Sequence, residues 1–399
     1  MRPRWSLLGP AFVAAIAYVD PGNIAANVSA GSRFGFLLVW VIVVANVMAG
    51  LVQYLSAKLG LVTGRTLPEA VRDRTGTPSR IAYWAQAELV AVATDVAEII
   101  GGALALYLLF GLPLLAGGVV TGVVSLILLT IGDRRGPRVF ERVITGLLMV
   151  IAIGFVASLV VSPPPPASVA AGLIPRFDGV DSVLLATAML GATVMPHAVY
   201  LHSGLARDRH GHPPAGPRRA ELLRATRWDV GSAMVVAGTV NLALLLVAAV
   251  NLRGQQGTDT IEGAHAALGG ALGPAVAWLF AVGLLASGLA SASVGAYAGA
   301  MIMQGLLRRT YPVLVRRLVT LIPALLVLAS GVNPTAALVI SQVVLSFGIP
   351  FALIPLARLT ADRTLMGADV NRRITSMLAW SVAVLITALN IALIYLTIT

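Results

Sequence analysis

The sequence predicts an all-α, polytopic membrane protein. Hydrophobic residues make up 58% of the 399 residues and charged residues only 11%, so the chain lacks the polar surface that a soluble protein needs. Eleven apolar segments are each long enough to cross a bilayer core of about 30 Å. Between them, the basic residues collect on alternate connections. We therefore expect a single transmembrane domain over residues 1–399, with the lipid bilayer as its solvent.

The predicted spans follow one another with short connections. They lie near residues 7–31, 36–58, 81–110, 112–132, 139–161, 183–206, 229–251, 274–306, 312–331, 334–357 and 374–397. The first apolar run, from Leu7 to Val19, lacks a convincing small-residue cleavage site, so we interpret it as a retained half-helix and not as a signal peptide. The chain has no cysteine, which excludes disulfides, thiolate metal sites and cysteine nucleophiles.

The distribution of basic residues predicts the orientation. All but three of the 28 Lys and Arg residues fall on connections of one side. The exceptions are Arg33, Arg176 and Arg253. Because cytoplasmic loops are enriched in Lys and Arg, we predict a multi-pass protein of the plasma (inner) membrane with a cytoplasmic N-terminus and an external C-terminus. The formal charge of +11 follows from this rule and does not indicate a nucleic-acid partner.

Two of the spans are interrupted by a proline in polar company. The first interruption reads Asp20-Pro21-Gly22-Asn23, and the second reads Met195-Pro196-His197. Proline deletes a helical hydrogen bond and frees a carbonyl one turn earlier. A membrane tolerates such carbonyls only where they line a cavity or meet a partner. A pair of broken spans, one in each half of the chain, therefore indicates the binding site of a transporter.

The spacing of the two breaks predicts the architecture. The second break comes five spans after the first, and span 6 starts outside whereas span 1 starts inside. We predict a LeuT-type fold of two inverted five-span repeats with discontinuous helices 1 and 6. The repeats comprise residues 1–161 and 183–357, and helix 11 (374–397) is an addition. A Pro-rich external linker covers 162–182 and begins with a stiff, extended stretch over residues 162–167.

The residues at the breaks include potential metal ligands. Asp20 is a favoured N-cap residue, but Asn23 adds an amide oxygen that capping does not require, and Gly22 allows close backbone approach. Met195 by itself would be interpreted as core filler; opposite Asp20 and Asn23, it adds a soft donor to two hard ones. Such a set favours divalent first-row transition metals over Ca²⁺ and Mg²⁺, which gain nothing from sulfur.

Span 3 carries three acids in an otherwise apolar helix, namely Glu88, Asp95 and Glu98. Glu88 and Asp95 lie about 20° apart on the helical wheel, and Glu98 is one turn further on. Intramembrane carboxyl groups on one face indicate a proton relay. The alternative is buried ion pairing with Arg316 and Arg317 of span 9, and the two interpretations are compatible.

Two histidines follow the second break. His197 is a candidate for a fourth ligand or a proton carrier, and His202, five residues further along the half-helix, would extend a protonatable path towards the cytoplasm. Two histidines hydrogen-bonded within the bundle are an equally good interpretation. His210 and His212 lie in a polar connection, where solvation explains them better than weak metal binding.

Two further features have structural explanations. Gln342 is a lone amide in span 10, which a hydrogen bond to a neighbouring helix would explain. The small-residue run from Ser287 to Gly299 in span 8 is explained by close helix packing. No metalloprotease motif, nucleophile elbow or phosphate loop occurs in a sensible context, which argues against an enzyme.

The chain resembles the Nramp family of proton-coupled divalent metal transporters. The resemblance rests on Asp20-Pro21-Gly22-Asn23 and Met195-Pro196-His197. It is supported by Ala87-Glu88-Leu89, by Ala93-Thr94-Asp95-Val96-Ala97-Glu98 and by Ser341-Gln342. It extends from span 1 to span 11, and the methionine at position 195 points to the manganese and iron branch of the family.

The resemblance implies a role for each of these residues. The metal would be bound by Asp20, Asn23, Met195 and the carbonyls of Ala17 and Ala192, and Gln342 would join when the site occludes. Protons would be carried, or their movement tuned, by Asp20, His197, Glu88, Asp95 and Glu98, with Arg316 and Arg317 at the inner end of the route.

We therefore predict a secondary active transporter that imports Mn²⁺ or Fe²⁺ with protons by alternating access. Both ions are substrates, and we expect no cofactor and no obligate protein partner. One alternative is a LeuT-type amino acid symporter, whose half-helix N-terminus would hold a substrate carboxylate that Asp20 would repel. The other is a metal-conducting channel, against which occluding half-helices argue.

Overall fold

The structure is a computed structural model that describes residues 9–135, 137–309 and 313–398. It does not describe the side chains of residues 129–135, 137–141, 158, 313, 314, 316 and 317. The described residues form helices and short connections without a strand. The all-α prediction is therefore confirmed.

The first half of the chain runs from the first broken helix to the linker. Its elements are α1 (Pro10–Ala15), a 3₁₀ segment (Ile16–Val19), α2 (Pro21–Phe34), α3 (Val39–Thr63), α4 (Leu67–Arg72), α5 (Thr77–Phe110), α6 (Leu114–Arg135) and α7 (Pro137–Val161). The linker contributes α8 (Pro166–Ala171). Both α8 and α5 have proline in their first turn, where its missing N–H costs nothing.

The second half repeats the broken helix and adds a terminal span. Its elements are α9 (Gly179–Thr193), α10 (Pro196–His210), α11 (Pro217–Asn251), α12 (Ile261–Leu272), α13 (Pro274–Leu307), α14 (Val313–Ala329), α15 (Pro334–Ala361), α16 (Arg363–Met366), a second 3₁₀ segment (Gly367–Asp369) and α17 (Arg373–Ile398).

Eight helices within the described residues are long and apolar enough to cross a membrane. They are Val39–Thr63, Thr77–Phe110, Arg142–Val161, Gly179–His210 across the second break, Pro217–Asn251, Pro274–Leu307, Pro334–Ala361 and Arg373–Ile398. Three shorter apolar helices, Pro10–Val19, Leu114–Leu128 and Leu318–Ala329, fall on predicted spans 1, 4 and 9. The multi-pass class is confirmed, whereas the count of eleven spans and the orientation remain predictions.

The largest difference from the predicted boundaries is at α11. This helix begins at Pro217, whereas its span was predicted from residue 229. The added turns carry Arg218, Arg219, Arg224 and Arg227. A helix that continues beyond the bilayer keeps its backbone hydrogen bonds but loses its apolar pattern, so hydropathy marks the edge of the lipid and not the end of the helix.

Residues 162–167 of the linker were predicted to be a stiff, extended spacer, but the chain becomes helical at Pro166. It forms α8 and then docks on the turn between α2 and α3. The backbone N–H of Trp40 donates to the carbonyl of Gly172 at 2.9 Å, and a Cβ at Gly172 would collide with the carbonyl oxygen of Phe36. Close backbone contact therefore fixes the linker to the first half.

Small residues bring the central helices together, as predicted for span 8. A Cβ at Gly288 of α13 would lie 3.1 Å from the carbonyl oxygen of Glu98 and from the amide nitrogen of Gly102 in α5. Gly60 of α3 leaves similar room for the carbonyl of Ser203 in α10. Without a hydrophobic driving force between helices in lipid, such backbone approach supplies the dispersion contact that holds a bundle together.

Candidate metal site and protonatable network

The first helix break follows directly from Pro21. Its ring nitrogen carries no hydrogen, so the carbonyl of Ala17, four residues earlier, loses its helical donor. The chain tightens into the 3₁₀ segment, and Asp20 then takes an extended conformation with φ −71° and ψ 165°. Helix α2 starts at Pro21, so the first half-helix ends with the 3₁₀ segment, which contains Ala17.

The second break has the same construction. Pro196 removes the helical donor of the carbonyl of Ala192, and Met195 is extended with φ −61° and ψ 122°. Helix α9 ends at Thr193, and α10 starts at Pro196. Asp20 and Met195 therefore occupy equivalent positions, each immediately before the proline that starts the second half-helix.

The two carboxylate oxygens of Asp20 have separate partners. Oδ1 accepts a hydrogen bond from the backbone N–H of Asn23 at 2.7 Å, which caps α2. Oδ2 accepts from Nε2 of Gln342 at 3.0 Å. The side chain is fully buried, with 0% relative exposure. Capping and participation in a polar site are therefore not alternatives, because one oxygen serves each.

Helix α15 contacts both breaks through Gln342. A Cβ at Gly22 would collide with the Gln342 side chain, so the amide reaches Asp20 only because residue 22 is glycine. On the other side, Gly191 of α9 leaves room for the Gln342 backbone carbonyl. Gln342 therefore lies between the two broken helices.

Side chains from three helices hold the first break open. The carbonyl of Tyr18 accepts hydrogen bonds from Nδ2 of Asn23 at 2.5 Å and from Nδ2 of Asn241 at 2.9 Å. The carbonyl of Val19 accepts from the hydroxyl of Ser287. Sequence reasoning missed Asn241, although a lone amide in an apolar span is the same signal that singled out Gln342.

The donors predicted for a metal are all buried. Asp20, Asn23, Met195, Ala192 and Gln342 have 0% relative exposure, and Ala17 has 1%. Asn23 also accepts a hydrogen bond through Oδ1 from Nδ2 of Asn27 at 2.7 Å, and a second lone pair of that oxygen is left for a ligand. Among the described residues, no group of three or more His, Asp or Glu side chains is arranged to hold a metal. A site at the breaks would therefore depend on mixed carboxylate, amide, carbonyl and thioether donors.

The helix ends add fixed partial charges. The N-termini of α2 and α10 begin at the breaks and carry positive partial charge, whereas the 3₁₀ segment and α9 end there with carbonyl groups of negative partial charge. A cation is therefore favoured on the side of the Ala17 and Ala192 carbonyls, with the Asp20 carboxylate offsetting the helix N-termini.

His197 faces the acidic helix. Its Nδ1 lies 3.4 Å from the hydroxyl oxygen of Thr94 in α5. In the same helix, Asp95 and Glu98 are buried whereas Glu88 is half-buried. The carboxylate of Glu98 lies beside α13, where a Cβ at Gly295 would be 3.0 Å from Oε1. The protonatable groups of α5 and the first turn of α10 thus lie on adjoining elements.

His202 faces a different helix. Its Nδ1 lies 2.7 Å from Oε1 of Gln53 in α3, and the amide nitrogen of Gln53 donates to the hydroxyl of Tyr18. Five residues on a helix correspond to a rotation of about 140° from His197, so the two histidines do not form a single file. Sequence reasoning missed Gln53 and Tyr18, which connect His202 to the first break.

The side chains of Arg316 and Arg317 lie outside the described residues. His212 has Nδ1 3.1 Å from the carbonyl oxygen of Leu61, which ties its loop to α3.

Comparisons with known proteins agree with this arrangement. Residues 11–396 match the family described as Nramp, natural resistance-associated macrophage protein-like. A relative from Mycobacterium tuberculosis (strain CDC 1551 / Oshkosh), named divalent metal cation transporter MntH, is 68% identical over 399 residues, which is 100% of this chain and 93% of the relative. A crystal structure of the Eremococcus coleocola manganese transporter superposes with a TM-score of 0.87 at 31% identity, covering 98% of this chain and 87% of that chain.

A more distant likeness concerns the fold alone. MhsT, crystallised with L-phenylalanine, superposes with a TM-score of 0.65 at 13% identity, covering 99% of each chain. MhsT has the LeuT fold, so the predicted LeuT-type architecture with two discontinuous helices is confirmed.

Proposed function

Because this chain belongs to the Nramp family, we propose that it is a proton-coupled secondary transporter that imports divalent transition-metal ions, Mn²⁺ or Fe²⁺, by alternating access. One observation carries the proposal. Asp20 and Met195 occupy equivalent positions at two proline breaks, with a freed carbonyl one turn before each. The named function of the mycobacterial relative agrees with it.

The donor set determines the class of ion. The Asp20 carboxylate, the Asn23 amide oxygen and the carbonyls of Ala17 and Ala192 are hard donors that bind most divalent ions. The Met195 thioether is soft and contributes only to ions that accept sulfur. We therefore assign selectivity against Ca²⁺ and Mg²⁺ to Met195, and we assign occlusion to Gln342.

Protons would move through groups next to the site. Asp20 exchanges a proton for the metal, because one buried carboxylate does not carry both. His197, beside α5, passes the proton towards Asp95 and Glu98, with Glu88, Arg316 and Arg317 setting the inner end of the route. His202 reaches the first break through Gln53 and Tyr18 and is a second protonatable group near the site.

In the proposed transport cycle, the two repeats move against each other. Residues 1–161 and 183–357 form the inverted repeats, with the connection 162–182 and helix 374–397 outside them. In the plasma membrane, with the N-terminus in the cytoplasm, rocking of one repeat against the other would expose the breaks to each side in turn.

Uptake into proteoliposomes tests the proposal. The full chain should accumulate Mn²⁺ when the outside is acidic, and uptake should acidify the lumen. An Asp20→Asn variant should lose Mn²⁺ uptake and Mn²⁺ binding by calorimetry, because a neutral amide replaces the one carboxylate of the site. An Asp229→Asn variant is the matched control: Asp229 is also buried, but it caps α1 through the N–H groups of Gly9 and Ala11.

Three outcomes contradict the proposal. Amino acid flux without metal flux would identify the symporter alternative. Mn²⁺ flux faster than any carrier would identify a channel. Unchanged Mn²⁺ binding by the Asp20→Asn variant would remove the site from the breaks.

A further inference from the structure

The three arginines that depart from the positive-inside pattern converge in one place. Arg33 lies in the last turn of α2, Arg176 lies in the linker after α8, and Arg253 follows α11. Although they are far apart in sequence, all three line a single cavity of about 520 Å³. Arginine on the outer side is disfavoured by topology, so the orientation of the chain does not explain this convergence. We refer to the cavity lined by these three residues as the outer arginine cavity.

Contacts among the surrounding segments stabilise the cavity. The Trp40 ring packs edge-on against the Phe177 ring, with the ring centroids 5.4 Å apart. Its Nε1 donates a hydrogen bond to the carbonyl of Arg176 at 3.3 Å. Arg253 lies over the turn at Gly35, where φ is +59° and a Cβ would lie 2.8 Å from its Nη1. Glycine therefore permits both the turn and the close approach of the guanidinium.

The charges of the cavity are not balanced. Arg33 forms an ion pair with Asp181, and Asp178 is the one acid among the lining residues. Neither Arg176 nor Arg253 forms an ion pair with another described residue. Counting both carboxylates, one positive charge is left over. The three arginines are exposed, so a ligand reaches them without a conformational change.

We propose that the outer arginine cavity is a binding site for a phosphate-bearing anion. Guanidinium groups bind phosphate through parallel charge-assisted hydrogen bonds, and three of them from three segments surround a group with several oxygens. The phenylalanines at positions 34, 36 and 177 also line the cavity, so one wall accepts an apolar chain next to the phosphate. The ligand is the headgroup of an anionic phospholipid or a free phosphate, which share this chemistry.

Calorimetry on the full-length protein in neutral detergent tests the site. The probes are dihexanoyl phosphatidylglycerol below its micelle concentration and sodium phosphate. The test variant is Arg176→Gln with Arg253→Gln, which removes the two unpaired guanidiniums. The matched control is Arg218→Gln with Arg224→Gln, two exposed arginines of α11 that lie outside the cavity.

We expect the wild type and the control to bind at least one probe equally well, and the test variant to bind it roughly tenfold more weakly or worse. Added NaCl should weaken binding because the arginines are exposed. Binding of the phosphatidylglycerol alone assigns the cavity to a lipid, and binding of phosphate alone assigns it to a soluble anion. Equal affinities in all three proteins, or no binding of either probe to the wild type, would overturn the proposal.

Discussion

At the residue scale, the candidate site depends on what glycine and proline permit. Pro21 and Pro196 free carbonyls that would otherwise be satisfied within a helix, and Gly22 lets the Gln342 amide reach Asp20. None of these three residues supplies a side-chain ligand. They determine whether the proposed ligating groups of Asp20 and Met195 face a cavity or a helix interior.

Met195→Ala should change selectivity more than it changes Mn²⁺ transport. The hard donors remain, so Mn²⁺ still binds, but the soft donor that Ca²⁺ and Mg²⁺ cannot use is gone. We expect the Mn²⁺/Ca²⁺ preference to fall roughly tenfold, which corresponds to about 1.4 kcal/mol. Competition of Ca²⁺ with Mn²⁺ uptake in proteoliposomes measures this.

Met189→Ala is the control for that experiment, since Met189 is a buried methionine of α9 away from the break. Its loss should lower stability without changing selectivity. An equal loss of transport for all ions in the Met195→Ala variant would refute a selective role.

Gly22→Ala should prevent Gln342 from closing over Asp20. The added methyl occupies the volume of the Gln342 side chain, and overpacking of this kind costs about 1–3 kcal/mol. Mn²⁺ affinity should fall while the fold is retained, as calorimetry and a melting curve would measure. Gly231→Ala, in α11 with no atom within 4 Å of the added Cβ, should leave both unchanged. Normal Mn²⁺ affinity in the Gly22→Ala variant would exclude a role for this contact.

At the element scale, the second half of each broken helix is joined to a neighbouring element by an ion pair. The C-terminal end of α2 is joined to the start of α9 by the ion pair of Arg33 and Asp181. The C-terminal part of α10 is joined to α4 by Arg207 and Glu69 at 2.9 Å. Under the predicted orientation, these two ion pairs lie on opposite faces of the membrane.

Asp181→Asn should favour opening at the predicted outer face, where Arg33 and Asp181 join α2 to α9. The pair is exposed, so it contributes at most about 1 kcal/mol, and its loss should shift the population of open molecules by up to roughly fivefold. Because the chain has no cysteine, labelling of an Ala30→Cys variant in α2 reports this opening without background.

Asp362→Asn breaks a comparable exposed pair with Arg74 at 3.1 Å and should not change the labelling rate of the Ala30→Cys variant. If Asp181→Asn also leaves the labelling rate of the Ala30→Cys variant unchanged, the ion pair of Arg33 and Asp181 does not restrain α2 and α9.

At the scale of the whole molecule, the sequence predicted the class of fold and the position of both breaks because these depend on local chemistry. Proline, a run of apolar residues and an intramembrane acid each carry their meaning within one helix. The hydrogen-bonding roles of Asn241, Ser287 and Gln53 were missed because they arise from contacts with residues far away in sequence. The start of α11 was missed because a helix outside lipid has no hydropathy signal.

An odd number of spans should put the two ends of the chain on opposite sides of the membrane. Alkaline phosphatase fused after Thr399 should be active because this enzyme matures only outside the cytoplasm, whereas a fusion after Asp362, in the connection before the last span, should be inactive. Activity at both points, or at the earlier point alone, would contradict the predicted orientation.

The side-chain hydrogen bonds to the carbonyls of Tyr18 and Val19 have a consequence for the thermodynamics of ion binding at the proposed site. Asn23, Asn241 and Ser287 satisfy these groups from within the protein, so the unwound turn is already ordered in the folded chain. The conformational cost of unwinding falls on folding and not on binding, which makes the turn preorganised. At the proposed site, an arriving ion would exchange its water for fixed oxygens without first unwinding a helix.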